Sequence, residues 1–449
     1  MRRTVALVAG VCAVALAGVA GTTAYALTGN EAEPPADRPA AAPVAAPSSP
    51  SAPAASGKVA DGAAAPQAPA GRPEGAADGG GAVGRVQVGV VESVRLLLGY
   101  LDGERTMTLH YPGAEYVKPH FDRLVLLPGD HLTVSDPAGE EVHRVEGGLL
   151  SPSEGRWAMS VTGDTAVVEL HTTRPDPLGL GSAVAKLGIG VDKVARGYTP
   201  AERAAAQRKE AQRKEAQRKE AQPRTESICG GDDKSDAVCY KSADPVAYER
   251  SKAVARLLIK GSELCTAWRV GASNRLITNN HCIASSKDAY DTEVWFNYQC
   301  AQCGGHAVFR STKVWGDQVL STDETLDYTL FTVEDFDTVE KFGYLQIDLR
   351  RPAKGEELYI PQHPAGDPAM IAMDSDEDAN GTCAVENPSY TGYAKATDIS
   401  YLCDTEGGSS GSPVLSKSTD KVIGLHHFGG CPNSGVRMDL IHDKIKSHL

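Results

Sequence analysis

The chain has 449 residues, a formal net charge of −13 and 41% hydrophobic residues. This length predicts two or three domains of about 100 to 200 residues each. The acidic balance argues against a nucleic-acid-binding protein, so we expect no nucleic-acid partner.

The N-terminus has the features of an export signal. Two arginines follow Met1, an apolar run extends from Val5 to about Ala20, and residues 24–26 (AYA) supply the small residues of a cleavage site. An uncleaved membrane anchor is the alternative, but the run contains glycine and is barely long enough to span a bilayer. We therefore predict a signal peptide at 1–26 and a secreted, extracellular protein.

Residues 27–82 consist mainly of Ala, Pro, Gly and Ser, with almost no large apolar side chains. Such a segment cannot bury enough surface to offset its chain entropy. We expect a disordered spacer, which could bring the protein into contact with a cell wall or surface.

Residues 83–173 contain short strand-like runs separated by Pro-Gly and Gly-Asp turns. Regularly spaced strands of this kind predict a small β-sandwich-like domain. The domain has no cysteine and no cluster of acid and base residues. Three roles stay open for it: a folding or inhibitory pro-domain that makes the chain a zymogen, an adhesion module, or a passive spacer.

A linker is predicted at 174–228. It contains the sequence AQRKE three times, beginning at Ala206, Ala211 and Ala216. These residues favour helix, but a five-residue period does not keep one helical face apolar. We expect a solvated, partly helical linker, which serves either as a processing site or as a semi-rigid spacer.

Residues 229–449 contain many short apolar runs typical of β-strands, for example at 254–259, 293–296, 358–360 and 421–425. Near the end of the chain, Met438, Ile441, Ile445 and Leu449 follow helical spacing and predict a terminal helix.

Three motifs in this half carry the residue types of nucleophilic catalysis. His281 lies in LITNNHC, Asp327 in LDYTLF and Ser410 in GGSSGSPV. Glycines beside a serine allow a turn that exposes both the hydroxyl and main-chain N–H groups, as acyl transfer requires. Each motif alone could be structural, and other aspartates compete with Asp327 for its role: Asp323, Asp335 and Asp337.

The motifs, in the order His, Asp, Ser, resemble those of the chymotrypsin-like serine peptidases. WFNYQ at 295–299 and the GSSGSP form around the serine resemble secreted bacterial lysyl and glutamyl endopeptidases. The resemblance covers roughly 229–449 and implies an all-β, double antiparallel β-barrel with a C-terminal helix. It further implies a monomeric serine endopeptidase that acts on proteins or peptides and needs no cofactor or metal. A catalytically silent adhesion protein is the alternative.

By this resemblance, His281 is the general base, Asp327 orients it and Ser410 is the nucleophile. The N–H groups of Gly408 and Ser410 would form the oxyanion hole. Two departures stand out. An Asn-Asn pair replaces the usual small residues before His281, and Ser409 replaces the aspartate that binds a newly cut N-terminus in the animal enzymes. A zymogen switch triggered by a new N-terminus is therefore not expected.

All nine cysteines after the signal peptide lie from Cys229 onward, which is typical of an exported, disulfide-bonded domain with one thiol left over. The resemblance implies a bridge between Cys265 and Cys282 beside the histidine. It also suggests these pairs: Cys229 with Cys431, Cys239 with Cys300 or Cys303, and Cys383 with Cys403.

Two features resemble metal sites, and we expect a metal at neither. Asp374, Asp376 and Asp378 resemble the opening of a calcium loop but lack its later glycine and acid. The Cys300/Cys303 pair lacks the second pair of a zinc site.

The substrate pocket gives conflicting signals. Asp404 stands six residues before Ser410, where trypsin-like enzymes carry the acid that pairs with a substrate Lys or Arg. Residues 426–430 (HHFGG) instead resemble, with one insertion, a glutamyl endopeptidase segment whose histidine contacts an acidic side chain. This alternative would use His427 and Gly429. We predict cleavage after Lys or Arg, with glutamyl specificity as the alternative.

Overall fold

The computed structural model describes residues 85–99, 105–147, 155–172, 188–217 and 227–449. All of them fall within one compact unit, Gln67–Leu449. The predicted signal peptide and the whole of the predicted spacer lie outside the described residues. No helix in the described ranges is long and apolar enough to cross a membrane.

Ten strands occupy the N-terminal part: β1 (Val86–Gln87), β2 (Gly89–Gly99), β3 (Thr106–His110), β4 (Tyr116–Leu124), β5 (His131–Ser135), β6 (Val142–Val145), β7 (Arg156–Trp157), β8 (Val161–Thr162), β9 (Thr165–His171) and β10 (Gly188–Gly197). One sheet has the order β2-β10-β4-β7, with β8 also paired to β4, and a second sheet has the order β3-β9-β5-β6. A shared apolar core that includes Phe121, Leu132, Val168 and Val194 lies between them. This arrangement confirms the predicted β-sandwich.

The sandwich extends further along the chain than the sequence indicates. Strand β10 lies within the stretch predicted as linker, yet it pairs with both β2 and β4 in the first sheet. Its glycines at 188, 190 and 197 dilute the apolar pattern that identifies a strand. Helix α1 (Pro200–Gln217) follows it and contains the AQRKE repeats as far as the described residues reach.

The C-terminal half contains the remaining strands: β11 (Ser235–Asp236), β12 (Val254–Ile259), β13 (Glu263–Arg269), β14 (Leu276–Thr278), β15 (Thr292–Phe296), β16 (Thr312–Asp323), β17 (Tyr328–Val333), β18 (Leu358–Gln362), β19 (Met370–Ala372), β20 (Val385–Tyr390), β21 (Asp398–Tyr401), β22 (Pro413–Ser416), β23 (Val422–Phe428) and β24 (Asn433–Arg437). Its helices are α2 (Tyr240–Ala243), α3 (Pro245–Ser251), α4 (Ser286–Tyr290) and α5 (Met438–Ile445). Short 3₁₀ turns lie at Ala237–Cys239, Phe336–Thr338, Glu340–Phe342 and Pro364–Gly366.

These strands form two antiparallel barrels. In the first, the order β13-β12-β15-β16-β17-β14 closes because β14 pairs back onto β13. In the second, β18-β22-β23-β24-β21-β20 closes through a bridge between Glu357 and Ala384. The double barrel confirms the predicted all-β fold. The order and pairing of the strands are sufficient to identify it.

The largest apolar cluster includes residues from both barrels and the terminal helix. It contains Trp268 and Tyr328 of the first barrel, Tyr359 of the second, and Met438 and Ile441 of α5, all buried. The predicted terminal helix is therefore confirmed, and it packs on the body as its spacing requires.

Four disulfides join the cysteines of the C-terminal half: Cys229–Cys431, Cys239–Cys303, Cys265–Cys282 and Cys383–Cys403. These agree with the pairs expected from the resemblance and select Cys303 as the partner of Cys239. Cys300 is the cysteine left free, and burial raises the pKa of its thiol to about 11. A buried thiol that stays protonated is unreactive.

Candidate active site

The candidate catalytic histidine and aspartate meet directly. His281 follows strand β14, and its Nδ1 donates a hydrogen bond to Oδ2 of Asp327 over 2.7 Å. The His281 main-chain N–H donates to the other carboxylate oxygen at 3.0 Å. These two hydrogen bonds fix the orientation of the imidazole ring, and Nε2 is the ring nitrogen that they do not use. Nε2 is buried and makes no hydrogen bond to any described residue.

Asp327 sits just before β17 in the left-handed backbone region, with φ of 42°. Non-glycine residues rarely adopt this conformation, and the surrounding structure must hold it. Asn279 contributes, because its Nδ2 donates to the Asp327 carbonyl at 2.8 Å. The first residue of the unusual Asn-Asn pair thus secures the backbone of the orienting aspartate.

The Ser410 turn depends on glycine at two places. Gly408 and Gly411 have φ of 102° and 90°. A Cβ on Gly411 would lie 2.1 Å from the Thr266 carbonyl oxygen, too close for any side chain. The Gly408 N–H donates no hydrogen bond to a described residue and is available to a ligand.

Strand β13 stabilises this turn through hydrogen bonds from Thr266. The Thr266 N–H donates to the Ser410 carbonyl at 2.8 Å, and the Thr266 hydroxyl donates to the Gly408 carbonyl at 2.8 Å. The Cys265–Cys282 disulfide ties the same strand to the residue after His281, and Cys282 Sγ lies 3.9 Å from the Ser410 carbonyl oxygen. The structure therefore brings the His281 loop and the Ser410 turn together.

His427 supports the aspartate and does not face a substrate. Its Nδ1 lies 3.1 Å from Asp327 Oδ2 and its Nε2 lies 2.7 Å from Asp398 Oδ2, in a fully buried position. Burial alone would lower the pKa of His427, but the two carboxylates reverse this and raise it to about 9. Neither nitrogen is left for a substrate carboxylate, which counts against the alternative of a glutamyl pocket built on His427. Gly429 follows the end of the same strand, β23.

Asp327 is consequently ionised. Burial would raise the pKa of its carboxyl group, but the charges and hydrogen bonds of His281 and His427 hold it well below its usual range. A carboxylate in this state can stabilise a protonated imidazole at its side. Asp398, the further partner, has no sequence signal of its own, because it reaches the site only through β21 of the second barrel.

Asp404 is buried near the Ser410 turn. Its carboxylate accepts the N–H groups of Cys229 at 2.8 Å and of Asp233 at 2.7 Å. Burial raises the pKa of Asp404, although these two donors oppose the shift. The acid predicted for the pocket therefore also anchors the first residues of the C-terminal half.

Ser409 is tied into the same region. Its hydroxyl donates to Gln362 Oε1 at 2.5 Å, and Gln362 Nε2 donates to the Asp404 carbonyl at 2.9 Å. A neutral serine held in this way has no charge with which to bind a new N-terminus.

Comparisons with known proteins agree with the resemblance. Residues 230–439 match the family described as lysyl endopeptidase, C-terminal domain. The secreted RxLR effector protein 73 of Plasmopara viticola is 42% identical over 219 residues, which cover 47% of this chain and 53% of that protein. The uncharacterized protein y4fB of Sinorhizobium fredii is 27% identical over 201 residues, 40% of this chain and 28% of its own. The chain thus spans about half or less of the curated relatives it matches.

Solved structures also align with this half. A Glu endopeptidase in complex with MPD is 18% identical, with a TM-score of 0.35, and the alignment covers 49% of this chain and 98% of that chain. The Rv3671c protease in its inactive form is 15% identical, with a TM-score of 0.35 and coverage of 46% and 94%. The likeness of residues 230–439 to the lysyl endopeptidase C-terminal domain agrees with the resemblance drawn from the motifs.

Proposed function

We propose that residues 229–449 form a serine endopeptidase. Ser410 attacks the peptide carbonyl, His281 accepts the hydroxyl proton through Nε2, and Asp327 holds the imidazole. The N–H groups of Gly408 and Ser410 receive the developing oxyanion. His281 then donates the proton to the leaving amine, and water hydrolyses the acyl-enzyme. The observation that carries this proposal is the Asp327–His281 pair, with its unpaired Nε2, beside the glycine-flanked Ser410 turn.

Replacing the nucleophile tests the proposal. We expect Ser410→Ala to lose hydrolysis of casein by at least about 10³-fold, because nothing else in the triad can form the acyl-enzyme. A fluorophosphonate probe should label wild type at Ser410, as read by mass mapping. Ser412→Ala is the matched control, since Ser412 is buried two residues away. Equal hydrolysis by Ser410→Ala and wild type would refute the proposal and favour a non-catalytic binding protein.

We also propose cleavage after Lys or Arg. The lysyl endopeptidase match and the position of Asp404 before Ser410 support this specificity. An acidic group at the base of a primary pocket favours a cationic side chain over a neutral or acidic one. Profiling on a peptide library should give dominant cleavage after Lys or Arg, weakened in Asp404→Asn. Dominant cleavage after Glu, unchanged in Asp404→Asn, would show that Asp404 is not the residue that sets the specificity.

Maturation is proposed to cut the chain between about Ala206 and Ile228. Beyond this window, the Cys229 N–H is held by Asp404 and the Cys229 side chain by its disulfide to Cys431, so the new end would stay attached to the enzyme. N-terminal sequencing of protein recovered from the medium should find an end inside this window. Retention of the sandwich in every preparation would make it an accessory domain.

Secretion is part of the same proposal. Four disulfides suit an oxidising compartment, and one relative is named as a secreted effector. The predicted signal peptide accounts for export, and detection of the protein in culture medium tests it.

A further inference from the structure

A short strand from the N-terminal region lies next to the candidate active site. Strand β1 pairs antiparallel with the start of β13, with Val86 opposite Leu264 and Gln87 opposite Glu263. Leu264 precedes Cys265, whose disulfide partner Cys282 follows His281. The pairing therefore sets β1 beside the histidine loop, although it is about two hundred residues away in sequence.

Side chains of this segment contact both halves of the catalytic apparatus. Arg85 Nε donates to the His281 carbonyl at 2.6 Å, and Arg85 Nη1 donates to Glu263 Oε2 at 2.8 Å. On the other side, Val86 Cγ1 lies 3.2 Å from the place that a Cβ on Gly408 would occupy. Arg85 therefore contacts the histidine loop, and Val86 lies against the Ser410 turn.

Both the sandwich and the first barrel hold this segment in place. The Val88 N–H donates to the Ser262 carbonyl at 2.8 Å, and the Tyr198 N–H donates to the Val88 carbonyl at 2.8 Å. Val88 is buried in an apolar cluster with Leu264 and Trp295 of the first barrel. Strand β2 of the sandwich begins at the next residue, so the segment cannot leave while the sandwich stays docked.

We propose that residues 85–88 block the active-site cleft of the intact chain, so that the sandwich acts as an intramolecular inhibitor. The proposal rests on the proposed peptidase function. Peptides that bind an exposed sheet edge do so as an added strand, through main-chain hydrogen bonds. Strand β1 already occupies the edge of β13 beside His281 and competes with any substrate for it. This selects the inhibitory pro-domain among the roles left open by the sequence.

The test compares intact full-length proteins, with mass spectrometry to show that each is uncut. Arg85→Ala/Val86→Gly removes the contacts to His281, Glu263 and Gly408. Arg123→Ala, on an exposed position of β4, is the matched control. The two readouts are casein hydrolysis and the rate of labelling by a fluorophosphonate probe. We expect both rates to rise at least tenfold in the double variant and to stay at the low wild-type level in Arg123→Ala.

Each other outcome has a defined meaning. If intact wild type reacts as fast as the double variant, the inhibitory role is wrong and the peptidase function stands. If no protein is labelled or hydrolyses casein, even after the linker is cut, the proposed function fails and the inhibitory role falls with it. Arg85→Ala alone keeps the Val86 side chain and replaces the double variant if that protein does not fold. A rate for Arg85→Ala equal to wild type would then count against the proposal.

Discussion

A buried histidine between two carboxylates keeps a positive charge that burial alone would remove. His427 lies between Asp327 and Asp398, and its raised pKa means that it is protonated at neutral pH. An ionised orienting aspartate is what the proposed mechanism needs. His427 is therefore a positioning residue, which acts on His281 through Asp327.

This arrangement predicts a pH-dependent stability. The pKa of His427 is about 9 in the folded protein, against about 6.5 for a histidine in the unfolded chain, so its charge stabilises the fold. The contribution is complete below pH 6.5 and disappears as the pH rises through about 9. It corresponds to about 3 kcal/mol.

Unfolding free energies measured in urea between pH 6 and pH 9.5 check the prediction. Asp398→Asn removes one of the two carboxylates, so the decline should be shallower in that variant. Identical slopes for the two proteins would show that His427 does not carry the charge.

Strand β13 contacts the Ser410 turn through Thr266. The Thr266 hydroxyl donates to the Gly408 carbonyl and accepts from the His363 N–H at 3.2 Å. The fixed carbonyl limits rotation of the peptide that follows Gly408, and so keeps the oxyanion donors aligned. Pre-aligned donors of this type account for much of the rate enhancement in acyl transfer.

We predict that Thr266→Val lowers kcat by about tenfold and leaves KM nearly unchanged, since the loss falls on the transition state. Steady-state kinetics on a peptide amide would measure both constants. Thr332→Val is the control, because the Thr332 hydroxyl bonds Asp317 on β16, within the same barrel. A decrease in kcat of the same size in both variants would indicate general destabilisation of the protein.

Elements with a strong local pattern were predictable from the sequence. Strand β12 reads VARLLI with every residue buried, and α5 shows apolar residues at helical spacing. Strand β10 was not predictable, because its glycines weaken the pattern and its partners β2 and β4 are distant in sequence. The pairing of β1 with β13 was likewise not predictable, because it involves only two residues from each strand.

The same distinction holds at the site. His281, Asp327 and Ser410 each sit in a local motif, so the sequence could nominate them. The two hydrogen bonds of Asp404 to Cys229 and Asp233 come from a segment more than a hundred residues earlier. Such contacts depend on how the barrel and the preceding chain fold together, which no local spacing encodes.

For the molecule as a whole, the boundary between sandwich and peptidase is built around buried charge. Glu293 of β15 accepts a hydrogen bond from Lys118 of β4 at 2.5 Å, in a pair whose side chains are fully buried. It also accepts from the Ser160 N–H and hydroxyl at 2.9 and 2.7 Å. Burial would raise the pKa of Glu293, but Lys118 and Lys313 outweigh it and keep the carboxyl group ionised. A buried, fully paired charge of this kind stabilises docking only while every partner is present.

Glu293→Gln should therefore loosen the sandwich without changing the shape of the side chain. The amide removes the counter-charge of Lys118, and breaking a buried pair in this way costs about 3–5 kcal/mol. We expect a lower melting temperature for the intact chain. We also expect faster loss of the sandwich after the linker is cut, measured by size-exclusion chromatography of the nicked protein. Arg310→Ala breaks the exposed pair with Glu140 at the same boundary and should cost under about 1 kcal/mol. Equal effects of the two variants would mean that the buried pair does not hold the sandwich on the enzyme.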